Sequence, residues 1–421
     1  MILSKFGEKM TQKSGILQLM DDMGDAMKSD QPINMLGGGN PAMIPAAMDI
    51  FAETFAAAQA DMGRYIGRYA SPQGDAQFID ALVSYLNRHY HWGISEKNIV
   101  LTNGSQNAFF YLFNLFSGEY ADGSEKKILL PLAPEYIGYS DVHTRGQHFV
   151  SQKAKIETTA FEGQTGFFKY RVDFSHLHLD DRIGAMCCSR PTNPTGNVLT
   201  DAEMHQLSAL AASQAIPFIV DDAYGMPFPN IVFSDATLTW NPNQILCLSL
   251  SKVGLPGVRT GIVIADEPVI QAMSALNAIV SLSPNNFGAS LATQLLQNDT
   301  MKHLSDEIIR PFYLDKVRYA IALLKKELDG YPLRIHQPEG AIFLWLWFEG
   351  LPITTAMLYQ QLKSAGTLII PGEYFFPGIA DLPNYRHAHE CIRMSYAQDE
   401  AVLEKGIAEI GRQVRQLYDN A

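Results

Sequence analysis

Several common functional classes find little support in this chain. Basic residues are outnumbered, 32 Lys plus Arg against 44 Asp plus Glu, and the net charge is −12. A general nucleic-acid role therefore has no electrostatic footprint. No uncharged apolar run reaches the length of about 18 residues that a membrane helix needs. The first residues, "MILSKFGEKMTQKSGILQLM", lack a continuous apolar core and a small-residue cleavage site, so no secretory signal is expected. The four cysteines, Cys187, Cys188, Cys247 and Cys391, have no framework spacing, and the adjacent pair is a poor start for a structural disulfide. A reducing, cytoplasmic setting is the expectation. Internal repeats and low-complexity linkers are also missing.

What remains is ordinary globular material: 421 residues, 47% hydrophobic and 18% charged. That length accommodates a large domain with a smaller one. Short apolar runs alternate with helical patterns through the middle of the chain. "NIVLTNGSQNAFFYLFNLF" (98–116) reads as strand, polar turn and helix, and "KKILLPLAPEY" (126–136) as a strand closed by Pro and Tyr. "IGAMCCSRPTNPTG" (183–196), "IPFIVDDAY" (216–224), "QILCLSLSK" (244–252) and "GIVIAD" (261–266) continue the series. Apolar strands separated by helices predict an α/β fold with a mostly parallel sheet covered on both faces. The C-terminal part has a long helical pattern at 301–330, then spaced strands at 341–348, 367–372 and 391–396, as in a smaller α/β domain. The expected boundaries are an N-terminal segment 1–50 serving the small domain and the substrate site, a large domain 51–305 and a small domain 306–421.

In open α/β sheets ligands gather at the carboxyl ends of the strands. The residues just past each apolar run are therefore informative. The first run leads into Asn103-Gly104-Ser105-Gln106, opening a helix whose backbone N–H groups suit a phosphate. The others deliver Tyr136, then Asn193 within "PTNPTG", then Asp221 and Tyr224, then Ser249, Ser251, Lys252 and Arg259. One rim thus collects an anion nest, a flat aromatic, an amide, a carboxylate, a phenol, a lysine and an arginine. An aldehyde-bearing pyridine with a phosphate arm needs such a set: an amine for the carbonyl, a carboxylate for the ring nitrogen and donors for the phosphate.

"SLSKVGLPGVRTG", "PTNPTG", "DDAY" and "TNGSQ", in their order along the chain, resemble the pyridoxal-phosphate aminotransferases of fold type I, classes I and II. The resemblance runs from "LGGGNP" (36–41) to "IRMSY" (392–396). It implies that Lys252 binds the cofactor and shuttles the substrate proton, and that Asp221 pairs with the ring nitrogen. Asp221 rather than Asp222 has the family's D-x-A-Y spacing to Tyr224. Tyr224 and Asn193 would bond the phenolic oxygen, while Ser105, Gln106, Ser249 and Arg259 hold the phosphate and Tyr136 stacks on the ring. Arg393 would fork onto the substrate carboxylate. Gly39 would let the backbone approach the substrate, and Tyr69 would reach the active site of a second copy in a homodimer. Amino acids and 2-oxo acids are the implied partners. "LTNGSQNAFFYLFNLF", "PLAPEYIGY", "SRPTNPTGNV" and "PEGAIFLWLWF" resemble the branch that exchanges the amino group between L-valine and pyruvate. Arg259 stands seven positions after Lys252 where many members have eight, a spacing similar to that of the aminoadipate and kynurenine subgroup.

Other readings stand beside these. The same site could serve an aromatic or aminoadipate aminotransferase or a β-eliminating lyase. Regulators with an aminotransferase-like domain carry a basic DNA reader ahead of it, and residues before "LGGGNP" leave no room for one. His387, His389 and Cys391 alternate and would share a face on a strand. Three such groups with no fourth nearby do not make a zinc site, so no metal is expected. Cys187 and Cys188 are expected in strand core, and Trp345 and Trp347 in sheet packing.

Overall fold

The computed structural model describes residues 2–421 apart from positions 13, 14, 16, 18, 19, 23, 25–32, 145 and 147. Its largest sheet has the spatial order Ile99–Thr102, Gly261–Ile264, Gln244–Ser249, Phe218–Asp221, Ile183–Ser189, Glu125–Ala133, with Gly118–Glu119 at one edge and Phe149–Lys153 also paired to Glu125–Ala133. Gly261–Ile264 is antiparallel to both of its neighbours. Gln244–Ser249, Phe218–Asp221, Ile183–Ser189 and Glu125–Ala133 are mutually parallel. The reversal at Gly261–Ile264 leaves Ile99–Thr102 pointing the same way as this group. Phe149–Lys153 is parallel to Glu125–Ala133 as well, so six strands among the described residues end on one rim.

Both faces of this sheet are buried, and the split obeys the two-residue period of a strand. Leu101, Leu129, Met186, Cys188, Val220 and Leu248 belong to one core. Val100, Ile128, Ala185, Cys187, Ile219 and Cys247 belong to the other. The adjacent cysteines thus fill opposite cores as free thiols, fully buried. Helix Ala76–Tyr90 starts at Asp75, whose carboxylate accepts from the Phe78 N–H. Asp201–Ser213 begins with a reciprocal Thr200/Glu203 capping box.

A second sheet has the order Ile370–Pro371, Cys391–Ser395, Phe343–Phe348, Leu333–His336, Gln164–Arg171, Lys155–Phe161. It reaches upstream of the C-terminal third of the chain, because the hairpin of residues 155–171 pairs in parallel with Leu333–His336. Phe167, Phe168 and Tyr170 are fully buried there. From the N-terminal segment, Asn34–Met35 pairs in parallel with Thr367–Leu368, and the Ser395 N–H donates to Leu36 O at 2.7 Å. The second sheet also clamps a loop of the first: Lys169 Nζ donates to Val198 O (2.9 Å) and pairs with Glu339, whose Oε2 accepts from the Val198 N–H at 3.0 Å.

The last strand begins at Cys391, as expected, and the alternating residues just before it do not extend it, because residues 386–389 form a 3-10 turn. His387 bonds Tyr170, whereas His389 turns to Glu373 (2.8 Å) and the Leu382 carbonyl (3.1 Å). The two imidazoles are thus committed to different partners, and no metal-binding group of three or more such side chains occurs among the described residues. Trp345 is fully buried in the sheet, its indole donating to Tyr170 Oη at 2.9 Å. No helix among the described residues is long and apolar enough to cross a membrane.

Candidate active site

The strand ends converge on a cavity of about 360 Å³ between the two sheets. Lys252 enters it from the 3-10 turn Ser251–Val253, and its Nζ donates to Gly39 O at 2.6 Å. Nζ also lies 5.2 Å from the centre of the Tyr224 ring. Burial, with the guanidinium groups of Arg393 and Arg259 nearby, pushes its pKa down to about 8. An appreciable fraction of this amine is therefore neutral, and nucleophilic, near neutral pH.

Asp221 closes its strand at the rim. Its Oδ2 accepts from Tyr139 Oη at 2.7 Å and its Oδ1 from the Ala223 N–H at 3.1 Å. Burial raises its pKa to about 6, against the opposing effect of these bonds and of Lys252. Asp222, the next residue, faces the other way, towards a small gap lined by Arg190. Strand alternation separates the two carboxylates, in keeping with the D-x-A-Y spacing.

The helix Ser105–Phe116 opens on Gly104, whose φ of +91° favours glycine, and no side chain among the described residues caps it. A Cβ at Gly104 would lie 2.2 Å from Nη2 of Arg259, so the missing side chain lets the guanidinium rest on the helix start. Arg259 itself takes φ +48° and donates to Ser251 Oγ (3.4 Å) and Pro256 O (3.2 Å). Ser249 Oγ accepts from the Ser251 N–H at 3.1 Å. Gln106 spends its Nε2 on Gly138 O (2.9 Å), so its side-chain nitrogen fixes the Tyr136 turn. An uncapped helix start with an arginine against it is a built anion site.

Arg393, from the strand Cys391–Ser395, crosses towards the same cavity. Nη1 donates to Asn193 Oδ1 at 2.8 Å and Nη2 to Gly37 O at 2.7 Å. Its guanidinium carbon sits 4.0 Å from the Phe343 ring centre and 5.2 Å from that of Phe375. Burial lowers its pKa to about 10, and its Nε is buried with no partner among the described residues. Tyr224 packs edge-on to Phe343 at 5.9 Å.

Gly39 and Tyr69 have contrasting surroundings. At Gly39 a Cβ would meet only Phe343, at 3.9 Å, so the backbone here is otherwise open. Its carbonyl accepts from Lys252 Nζ. The crowded glycine is Gly37, where a Cβ would stand 3.1 Å from Ile369 O. Tyr69 lies away from this chain's cavity and is 85% exposed. Ser105, Gln106, Tyr136, Asn193, Asp221, Tyr224, Ser249, Lys252, Arg259 and Arg393 all line the one cavity. Tyr139 is the residue that sequence reasoning misses. It reads as one more aromatic in "PEYIGYS", and its only local signal is that it stands one 3-10 turn after Tyr136.

The sequence model for aminotransferase class I and II matches residues 34–410. The chain belongs to this family. Its fold is the two-domain α/β fold type I of these aminotransferases. A valine–pyruvate aminotransferase of Escherichia coli (strain K12) is 47% identical to it over 421 residues, covering 99% of each chain. The crystal structure of a putative amino-acid aminotransferase from Psychrobacter arcticum 273-4 superposes with a TM-score of 0.98 at 58% identity, covering 100% of both chains. That of a valine–pyruvate aminotransferase from Salmonella typhimurium LT2 gives 0.89 at 45% identity, over 97% of this aminotransferase and 100% of the other.

The donor set fits a phosphorylated pyridine aldehyde. The uncapped helix start with Arg259 suits the phosphate, the Lys252 amine with its lowered pKa the aldehyde, and the buried Asp221 a protonated ring nitrogen. The orphan Nε of Arg393 is a donor still awaiting an acceptor.

Proposed function

We propose that this aminotransferase depends on pyridoxal phosphate and moves the α-amino group of an aliphatic L-amino acid, with L-valine as donor, to pyruvate, releasing the 2-oxo acid and L-alanine. The observation that carries the reading is the division of labour among the cations of the cavity. Among the described residues lining it, Lys252, Arg259 and Arg393 are the only ones. Each has a task, so none is left for a second carboxylate on a substrate side chain. The names of the Escherichia coli and Salmonella relatives support the valine–pyruvate pair.

Bound pyridoxal phosphate supplies an electron sink for negative charge developing at the substrate's α-carbon. The chain supplies the rest. Lys252 Nζ would hold the cofactor's aldehyde and, once released, carry the proton taken from the α-carbon. Asp221 would keep the pyridine nitrogen protonated through a charge-assisted hydrogen bond. Asn193 and Tyr224 would donate to the phenolic oxygen, Tyr136 would cover the ring, and Ser105, Gln106, Ser249 and Arg259 would hold the phosphate. Arg393 would exchange its present acceptors for the substrate carboxylate, which valine and pyruvate share.

A homodimer belongs to the same proposal. Phe55 and Tyr65 both pack on Phe287 (6.0 and 6.4 Å), and Asn286 Nδ2 donates to Arg64 O at 3.4 Å, which joins the neighbourhoods of 55–69 and 279–287. Ile66, Tyr69, Ile279, Val280 and Leu282 are exposed there. A clustered apolar surface of this kind calls for a partner, and a second copy would bring Tyr69 to the neighbouring site.

The test is an absorbance spectrum of the purified protein with pyridoxal phosphate. L-Valine is expected to bleach a visible band and pyruvate to restore it, with alanine formed. A band bleached by aromatic amino acids but not by valine would reassign the substrate. Turnover without any oxo-acid acceptor would favour the lyase.

A further inference from the structure

We propose that Tyr139 is a positioning residue for the cofactor, fixing the plane of the Asp221 carboxylate and holding it ionised for the ring nitrogen. The proposal rests on the pyridoxal-phosphate reading of the cavity and extends it to a residue outside the cavity wall. Tyr139 is fully buried, and its hydroxyl is the one side-chain donor to Asp221 among the described residues. The second donor, the Ala223 N–H, reaches the other oxygen, so both carboxylate oxygens are tied. A carboxylate held at both oxygens has no freedom to rotate away from a ligand.

The phenol is itself locked. Phe109 (5.0 Å), Phe113 (5.1 Å) and Tyr136 (5.4 Å) pack around its ring at steep angles, and Phe149 stacks at 6.5 Å. Tyr136 is also the residue placed to cover the cofactor ring. The 3-10 turn Ile137–Tyr139 thus presents one tyrosine to the cavity and the next to the carboxylate beneath it.

The charge balance around Asp221 shows why a donor is needed. Lys252, from the neighbouring turn, is the one cation acting on it, and binding of the cofactor takes that amine up. Glu135, from the loop after Glu125–Ala133, and Asp222, next in sequence, are acidic. Cys187 and Cys247 on the flanking strands, and Tyr136 and Tyr224 at the rim, are neutral groups whose ionisation Asp221 opposes. Without the phenol the carboxylate would rely on one backbone N–H. A hydrogen bond given to the ionised form favours that form, and its loss raises the pH at which the acid protonates.

The experiment compares wild type, Tyr139→Phe and Phe149→Leu. The first variant removes only the hydroxyl, and the second loosens the same aromatic cluster without touching Asp221. Equilibrium affinity for pyridoxal phosphate is measured from about pH 5 to 9 alongside thermal stability. Tyr139→Phe is expected to bind the cofactor about ten- to a hundredfold more weakly near neutral pH. The pH at which its affinity falls away should rise by about one unit, and kcat should drop with KM for the amino acid little changed. Phe149→Leu should lose stability with its pH midpoint unmoved. Equal midpoints in wild type and Tyr139→Phe, or an equal shift in Phe149→Leu, would overturn the role of Tyr139 while leaving the cofactor reading intact. A wild-type chain that takes up no cofactor would refute the reading itself, and the role with it.

Discussion

Arg393→Lys isolates the geometry of the substrate clamp from its charge. The guanidinium reaches out with two nitrogens, at 2.8 and 2.7 Å from its present acceptors, and lies 4.0 Å from the Phe343 ring centre. A lysine keeps the positive charge but cannot form two parallel bonds or stack as a plane. Each hydrogen bond between charged partners is worth roughly 1.5–3 kcal/mol, so losing one of the pair together with the stacking costs about 3 kcal/mol. At 1.36 kcal/mol per factor of ten, kcat/KM should fall by about a hundredfold. Valine and pyruvate present the same carboxylate, so both half-reactions should lose a similar factor. Affinity for the cofactor, whose phosphate Arg259 would hold, should stay unchanged. The assay is single-turnover spectroscopy of each half-reaction, run separately, with cofactor affinity measured beside it. A fall of less than about fivefold in either half-reaction, or a parallel loss of cofactor binding, would refute the assignment of Arg393.

The site makes three more outcomes testable. Asp221→Asn should lose both cofactor affinity and rate, by about a thousandfold in kcat, whereas Asp222→Asn should stay within about threefold, because Asp222 faces the gap beside Arg190 and not the cavity; kinetics of the two variants side by side decide this. In the apoprotein, Lys252 has its pKa lowered from 10.5 to about 8, so the unfolded chain binds more protons between those values and the folded state carries its full penalty below about pH 8. Lys252→Met apoprotein should therefore unfold at higher denaturant than wild type at pH 7, by about 3 kcal/mol, with the difference fading as the pH rises towards 10.5; equal midpoints at pH 7 would contradict the burial of the amine. If the proposed dimer uses the exposed apolar surface, Val280→Asp should halve the wild-type mass seen in sedimentation; a wild-type mass of one chain, or a mass the variant leaves unchanged, would refute that contact.

The rim of the site is legible ahead of the structure because it is local. Each ligand-facing residue stands within a few positions of the strand that carries it, and parallel strands share one outlet. Lys252, Asp221 and the Ser105 helix need only that rule and the order of the motifs. The parts that are not legible depend on pairing over long separations. Nothing in "KIETTAFEGQTGFFKY" says that its hairpin will join Leu333–His336 instead of the sheet beside it in sequence. A strand's period places His387 and His389 on one face, but the chain turns tightly before Cys391. Tyr139 is hidden for another reason: a phenol among aromatics carries no mark of what its hydroxyl meets, and its acceptor lies 82 residues away. Nor does a glycine at position 39 say that its carbonyl will accept from Lys252, 213 residues on.

That carbonyl has a mechanical meaning. The strap of residues 36–41 is anchored to the second sheet through Leu36 O and Gly37 O, while Gly39 O, two residues on, grips a lysine rooted in the first. So short a stretch of chain has almost no slack. It works as a feeler gauge between the two sheets: a relative slip of about 1 Å along the 2.6 Å Lys252–Gly39 contact carries it beyond hydrogen-bonding range. Because main-chain atoms form the jaw, exchanging side chains at position 39 leaves its setting unchanged. The spacing of the two sheets, and nothing else in the strap, sets how firmly the amine is held.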